Sequence, residues 1–153
     1  MSLHAAMSKI GPASAPDLVA VRALLERSGL PTGDLESARP EFVVIREKGQ
    51  VIAAGALQRF GSSALLRSVV VAADRRGIGL GAAIVRELER AACAAQISRL
   101  VLLTETAADF FTRLGYRVTE RSAAPQSMQA SEEFRSLCPS SATCMAKSLP
   151  SSV

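Results

Sequence analysis

Three glycines at alternate positions, Gly77, Gly79 and Gly81, follow two arginines, Arg75 and Arg76, in the stretch VVVAADRRGIGLGAAIV that runs from Val69 to Val85. A glycine inside a helix costs roughly 1 kcal/mol against alanine, so three of them at the mouth of an Ala-rich helical pattern need a reason. The N–H groups of a helix's first turn have no intrahelical partner and carry the positive end of the helix dipole. Glycine leaves those groups bare, so that an anion can reach them, and two arginines add positive charge beside them.

Three readings of the glycines stand side by side. The first is structural: glycines that ease a turn or let a helix pack closely. The second is a dinucleotide fingerprint, since Gly77-Ile78-Gly79-Leu80-Gly81-Ala82 satisfies G-x-G-x-x-[GA], with Glu105 able to imitate the ribose-binding acid. In such folds the glycines follow their strand almost at once and come early in a long doubly wound domain. Here Ala72 to Arg76 intervene, three sheet-like segments precede, and fewer than 75 residues follow. The third is a pyrophosphate cradle for coenzyme A.

Other chemistry-bearing residues are sparse. His4 is the single histidine, in a segment that reads as a loose end, which argues against a Ser-His-Asp triad and a conventional zinc cluster. Cys93, Cys138 and Cys144 make an odd count without a secretory leader, so no disulfide framework is expected. The net charge of +4 comes from scattered residues, and the six aromatics (five Phe and Tyr116) are too few for a base-stacking platform. Neither a nucleic-acid partner nor a membrane is expected, and no run approaches 18 apolar residues. The N-terminal MSLHAAMSKIGPASAPDL lacks a basic start and an apolar run, so a cytoplasmic protein is expected.

The elements that must position these residues alternate along the chain. Ser14 is an N-cap, Pro16 suits a first turn and Gly29 a stop for a helix with Leu18, Val21, Leu24 and Leu25 at helical spacing. LPTGDLESARP reads as a loop with room for one short helical turn. Turn chemistry at Lys48-Gly49-Gln50 and Gly61-Ser62-Ser63 divides EFVVIREKGQVIAAGALQRF and SSALLRSVVV into three strands, an antiparallel meander. Gly79 to Ala95 is helical, with Leu80, Ile84, Leu88 and Ala91 on one face. SRLVLLTE is a buried strand, Ala107 to Leu114 a short helix closed by Gly115, and YRVTER a further strand. The last third holds a loop, a helix around Ser131 to Leu137 and a final strand near Ala142 to Leu149. These elements make a mixed sheet flanked by helices, an α/β or α+β sandwich in a single domain over residues 1–153.

Arg76-Gly77-Ile78-Gly79-Leu80-Gly81 resembles the acetyl-CoA signature [RQ]-x-x-G-x-[GA] of the GNAT superfamily of N-acetyltransferases. The preceding SVVVAADRR and the stretch AADFFTRLGYRV are similar to that family too, so the resemblance covers roughly Ile10 to Arg121. It implies a mostly antiparallel central sheet whose fourth and fifth strands splay apart, with the pantetheine arm of acetyl-CoA inserted between them. It further implies that the Val69 N–H meets the thioester carbonyl, that Val71 in the segment Val69-Val70-Val71 pairs with the pantetheine amides, and that Ile78, Gly79, Leu80, Gly81 and Ala82 supply amides to the pyrophosphate beside Arg76 and Gly77. No metal is expected. The general acid and base stay unassigned: Phe111 stands where many members carry a tyrosine, Tyr116 is the only tyrosine and reads as a packed ring, and Thr104 stands nearest a frequent asparagine. Glu105 is either a base for the ammonium or a favourable charge before a helix.

The tail SEEFRSLCPSSATCMAK, with RSVVVAADRRGIG and LLTETAADFFTRLGY, resembles the acetyltransferases of bacterial arsenic-resistance operons. Cys138 and Cys144 are soft ligands that could in principle capture a trivalent arsenical, or else buried structural cysteines. The expectation is an acetyl-CoA-dependent N-acetyltransferase acting on a primary amine of a small molecule, an arsenic-containing or other toxic amino acid among the candidates. The alternative is a non-catalytic binder or sensor of acetyl-CoA or of an arsenical. A homodimer is left open.

Overall fold

Ser14 and Asp17 start the first helix by exchanging bonds. In the computed structural model, which describes residues 8–150, the Asp17 carboxylate accepts from Ser14 N–H at 2.8 Å, and the Ser14 hydroxyl accepts from Asp17 N–H at 3.4 Å. This capping box opens α1 (Ala15–Arg27). Arg46, on strand β2 (Glu41–Glu47), donates from Nε to Asp17 at 3.1 Å and ties the helix start to the sheet. Val21, Leu24 and Leu25 are buried as expected, but Leu18 is 45% exposed, because no core side chain packs on the first turn.

Seven strands form one sheet among the described residues, in the order β1-β2-β3-β4-β5-β7-β6. They are β1 (Ser8–Pro12), β2, β3 (Gln50–Phe60), β4 (Ser63–Val71), β5 (Arg99–Thr104), β6 (Arg117–Val118) and β7 (Thr143–Ser148). All neighbours are antiparallel except β4 and β5. The two hairpins turn at Lys48-Gly49 and at Gly61, all with positive φ, as the turn chemistry requires. YRVTER forms a strand only over Arg117 and Val118, with one further bond from Thr119 N–H to the Cys144 carbonyl at 2.9 Å before the chain turns at Arg121–Ala123.

Helix α3 (Leu80–Ala94) crosses one face of the sheet and buries Ile84, Val85, Leu88 and Ala92. Ala91, expected on that face, is exposed, and Ala92 takes its place. Gly55 of β3 lies directly beneath: a Cβ there would stand 2.5 Å from Ile84 Cγ2, so the close approach of α3 requires glycine. On the opposite face α1 packs Val21, Leu24 and Leu25 against Phe42, Val44, Ala54, Ala56 and Val70. Two short helices, α2 (Leu35–Ala38) and α4 (Ala108–Arg113), fill the connections. The last third differs in detail from the expectation. A helical turn, α5 (Gln126–Gln129), occupies the segment read as a loop, and Glu133–Leu137 forms a π-type turn rather than an α-helix. The mixed α/β sandwich itself is as expected.

Candidate functional site

Strands β4 and β5 are bonded over three residue pairs only, Ser63 to Leu65 with Arg99 to Val101. Beyond Leu65 they separate. The cause is a bulge: Ala54 faces Val70 while Ala56 faces Arg67, which leaves one extra residue in β4, and Ser68 takes φ +60°. A bulge bends its strand and re-aims the residues after it. Ala72 N–H donates to the Ile52 carbonyl at 2.8 Å, and successive groups along a strand alternate sides. The polar groups of Val70 therefore face β3 and those of Val71 face the gap, with Val69 at the bulge beside them. Arg76 Nε closes the mouth by donating to the Val71 carbonyl at 3.1 Å.

The glycine turn continues this edge. Gly77 and Gly79 have φ +84° and +88°, with open space where a Cβ would stand. The first turn of α3 has no side-chain cap and no acidic residue, and its first closing bond runs from Ala83 N–H to the Gly79 carbonyl at 3.1 Å. The N–H groups of Leu80, Gly81 and Ala82 thus lie ahead of the hydrogen-bond ladder, next to exposed Ile78. Gly81 backs onto α4, its Cβ position 3.3 Å from Phe110 Cζ. The donor set fits a diphosphate. One expectation is corrected: Arg75 adds no free charge at the rim, because it pairs with Glu47 at 2.7 Å and with Asp74 at 3.1 Å.

Gap and turn open into one cleft of about 930 Å³, whose other walls are Ser28 to Pro31, Thr104 to Ala107, and Glu133 with Leu137 to Pro139. At the end away from the glycines stands a cluster of buried charge. Arg67, fully buried on β4, donates from both Nη atoms to the two oxygens of Asp34, at 2.7 and 2.6 Å. Its Nη1 also donates to Gln58 at 3.0 Å, and its Nη2 lies 3.4 Å from Glu133. Arg67 Nε is buried and has no partner. Burial pushes the Glu133 carboxyl above its ordinary value, against the pull of Arg67. Burial and the neighbouring Glu133 carboxylate push the Cys138 thiol up to about 12.

The positions weighed for acid and base, both left unassigned by the sequence, do not converge here. Phe111 is buried edge-on against Phe110 and Tyr116, with centroids 4.9 and 5.6 Å away. Tyr116 is buried and donates its hydroxyl to Glu89 at 2.8 Å. The Thr104 hydroxyl accepts from Ala107 N–H at 3.0 Å, a satisfied strand end. Glu105 is exposed on the cleft wall. Cys138 lines the cleft while Cys144 is buried among Leu65, Val101, Met128 and Phe134. His4 lies outside the described residues.

Sequence patterns alone did not single out Arg67, Asp34, Gln58 or Glu133. One signal was available: an arginine interrupting the apolar strand ALLRSVVV must find a carboxylate if the strand is buried. Nothing local says which carboxylate.

A family model described as an acetyltransferase (GNAT) domain matches residues 38–118, just over half of the chain. Among solved structures, N-acetylglutamate synthase from Neisseria gonorrhoeae, complexed with coenzyme A and N-acetyl-glutamate, superposes with a TM-score of 0.81 at 19% identity, over 94% of this chain and 35% of that one. Rv2747 from Mycobacterium tuberculosis, solved with CoA, gives 0.80 at 26% identity, over 93% and 99% of the two chains. A ribosomal-protein alanine N-acetyltransferase from Escherichia coli gives 0.69 at 19% identity, over 96% of each. The chain spans about a third of the length of the N-acetylglutamate synthase.

Proposed function

Because the chain belongs to the GNAT acetyltransferase family, we propose that it transfers the acetyl group of acetyl-CoA to a primary amine of a small molecule. The observation that carries this reading is the open backbone edge of β4, continuous at its end with an uncapped, glycine-lined helix start. Bound acetyl-CoA supplies an activated acetyl thioester. The chain supplies the rest. The Val69 N–H is the donor for the thioester carbonyl, a fixed dipole aimed where negative charge grows. Val71 serves the pantetheine amides, and the backbone from Ile78 to Ala82 holds the diphosphate, with Arg76 across the mouth and Gly77 giving the turn its left-handed step. The cleft walls bring amine and thioester together, which supplies the proximity term.

For the acceptor, an arsenic-containing or other toxic amino acid is the first compound to try, on the strength of the tail's resemblance. The reading places the protein in the cytoplasm as one domain, with neither nucleic acid nor membrane as partner and with a homodimer open. No helix among the described residues is long and apolar enough to cross a membrane. A second reading, a non-catalytic binder, draws on one observation: neither Phe111 nor Tyr116 brings a tyrosine hydroxyl into the cleft.

The test is a thermal melt with acetyl-CoA, CoA, NAD and NADP in parallel, followed by thiol release from acetyl-CoA with a panel of amines. A ligand at 100 times its Kd adds roughly 2.7 kcal/mol. Stabilisation by CoA forms with amine-dependent thiol release supports transfer. Stabilisation without turnover supports the binder, and a response to dinucleotides alone overturns both.

A further inference from the structure

Two carboxylates surround one guanidinium at the end of the cleft away from the glycines, and they are not equivalent. Asp34 takes both Nη atoms of Arg67 and so neutralises it. Glu133 is left with a single 3.4 Å approach to the same guanidinium. It is 5% exposed, yet its residue lines the cleft. A buried ionised carboxylate without a full partner is costly, and two carboxylates here share one guanidinium, so Glu133 ionises at least cost when a further positive charge stands beside it. A second, independent observation is an unsatisfied donor at the same place. Arg67 Nε, on a fully buried side chain that also lines the cleft, is the one buried side-chain nitrogen or oxygen without a partner among the described residues.

The backbone puts this cluster within reach of the chemistry. Arg67 precedes Val69 by two residues, at most about 7 Å along a strand, across the bulge at Ser68. Glu133 is carried on a π-type turn that Cys138 N–H closes onto the Glu133 carbonyl at 3.1 Å, a geometry frequent at functional sites.

On the acetyl-transfer reading above, we propose that Glu133 receives the ammonium of the acceptor and takes its proton, while Arg67 Nε donates to an oxygen of the same molecule. The acceptor class is therefore a small primary amine with a hydrogen-bond-accepting oxygen near its nitrogen. The step balances. One proton passes from the acceptor's –NH3+ to the Glu133 carboxylate. The freed nitrogen lone pair forms the N–C bond to the acetyl carbon as the C–S bond breaks. A second proton leaves that nitrogen for the thiolate, which departs as the thiol, and Glu133 then releases its proton to water.

The groups facing Glu133 are Arg67 from β4, Asp34 before α2, and the Cys138 thiol on its own turn. Arg121 acts on the Cys138 thiol and is bonded to the carbonyls of Phe134, Pro139 and Ala142. Arg67 favours the ionised carboxylate, while burial and Asp34 oppose it.

The experiment follows the side-chain carboxyl carbon of Glu133 by carbon NMR in the CoA-bound protein, assigned by its disappearance in Glu133→Gln or its displacement in Glu133→Asp. The probes are glycinamide, which has an ammonium and a carbonyl, and propionamide, which keeps the carbonyl alone. Glycinamide should lower the titration midpoint of Glu133 by about one pH unit or more, and propionamide should leave it in place. An unmoved midpoint, or equal shifts with both probes, overturns the proposal. With a working amine from the panel, Glu133→Gln should lose about 100-fold or more in kcat with CoA affinity unchanged, and Glu133→Asp should recover part of it. Unchanged kcat also overturns it. Failure of CoA to bind the wild type would instead sink the acetyl-transfer reading beneath it.

Discussion

Arg67 holds Asp34 through two parallel bonds of 2.7 and 2.6 Å, both side chains almost completely buried. This pair joins the loop before α2 to the centre of β4, next to the bulge that opens the cleft. Removing Arg67 leaves Asp34 and Glu133 buried without a cation, and an uncompensated buried charge costs about 3–5 kcal/mol. Arg67→Met should therefore lower stability by that amount, read as a fall in the urea midpoint at unchanged slope. Asp34→Ala should cost less than Arg67→Met, because Glu133 stays 3.4 Å from the guanidinium.

The architecture was legible because its signals are local. Ser14 with Asp17, the glycine turns at Gly49 and Gly61, and the apolar run of β5 each declare an element within a few residues. The glycine turn and the uncapped start of α3 were legible for the same reason. The charged cluster was not, because Asp34, Arg67 and Glu133 are spread over a hundred positions and meet only through topology. Arg75 shows the converse error: its neighbourhood suggested a phosphate, and Glu47 from a distant strand claims it instead.

Gly79 has φ +88° and open space at its Cβ position, so two substitutions there separate backbone strain from ligand charge. Gly79→Ala should cost about 1 kcal/mol of stability through the left-handed conformation and leave most CoA affinity intact. Gly79→Asp adds a carboxylate where the proposed cradle would hold the diphosphate. Like charges about 4 Å apart repel by about 4 kcal/mol at an effective dielectric of 20. CoA affinity should fall more than about 100-fold, measured by calorimetry on the folded variant. Equal affinities for the two variants would move the cradle elsewhere.

Asp17 ties α1 to β2, and its carboxyl is held well below its usual value of 3.8, chiefly by the Arg46 hydrogen bond and then by Ser14 N–H. A carboxyl lowered in the folded state stabilises above its unfolded value and loses that contribution as pH falls through the folded one. The melting temperature of Asp17→Asn should thus lie below that of the wild type at pH 6–7. The gap should close progressively below about pH 4. A gap that ignores pH would assign the whole effect to capping geometry.

Tyr116 is the one tyrosine in the chain, and a hydroxyl is what a departing thiolate would want. Its position argues otherwise. The hydroxyl donates to Glu89 at 2.8 Å, a carboxylate that Lys147 also holds at 3.0 Å, and the ring packs edge-on against Phe111. Burial and the Glu89 carboxylate both push its ionisation far above the ordinary value, so it stays protonated and bonded away from the cleft. Tyr116→Phe keeps the ring and deletes one bond to a charged group, a loss of about 1.5–3 kcal/mol that chemical denaturation will register. Glu89 keeps Lys147, so the fold should persist. Turnover with acetyl-CoA and the best amine of the panel should be unchanged within about twofold. A fall of 100-fold or more in kcat, with CoA affinity retained, would make Tyr116 the acid after all and would require the Tyr116–Glu89 bond to open during the reaction.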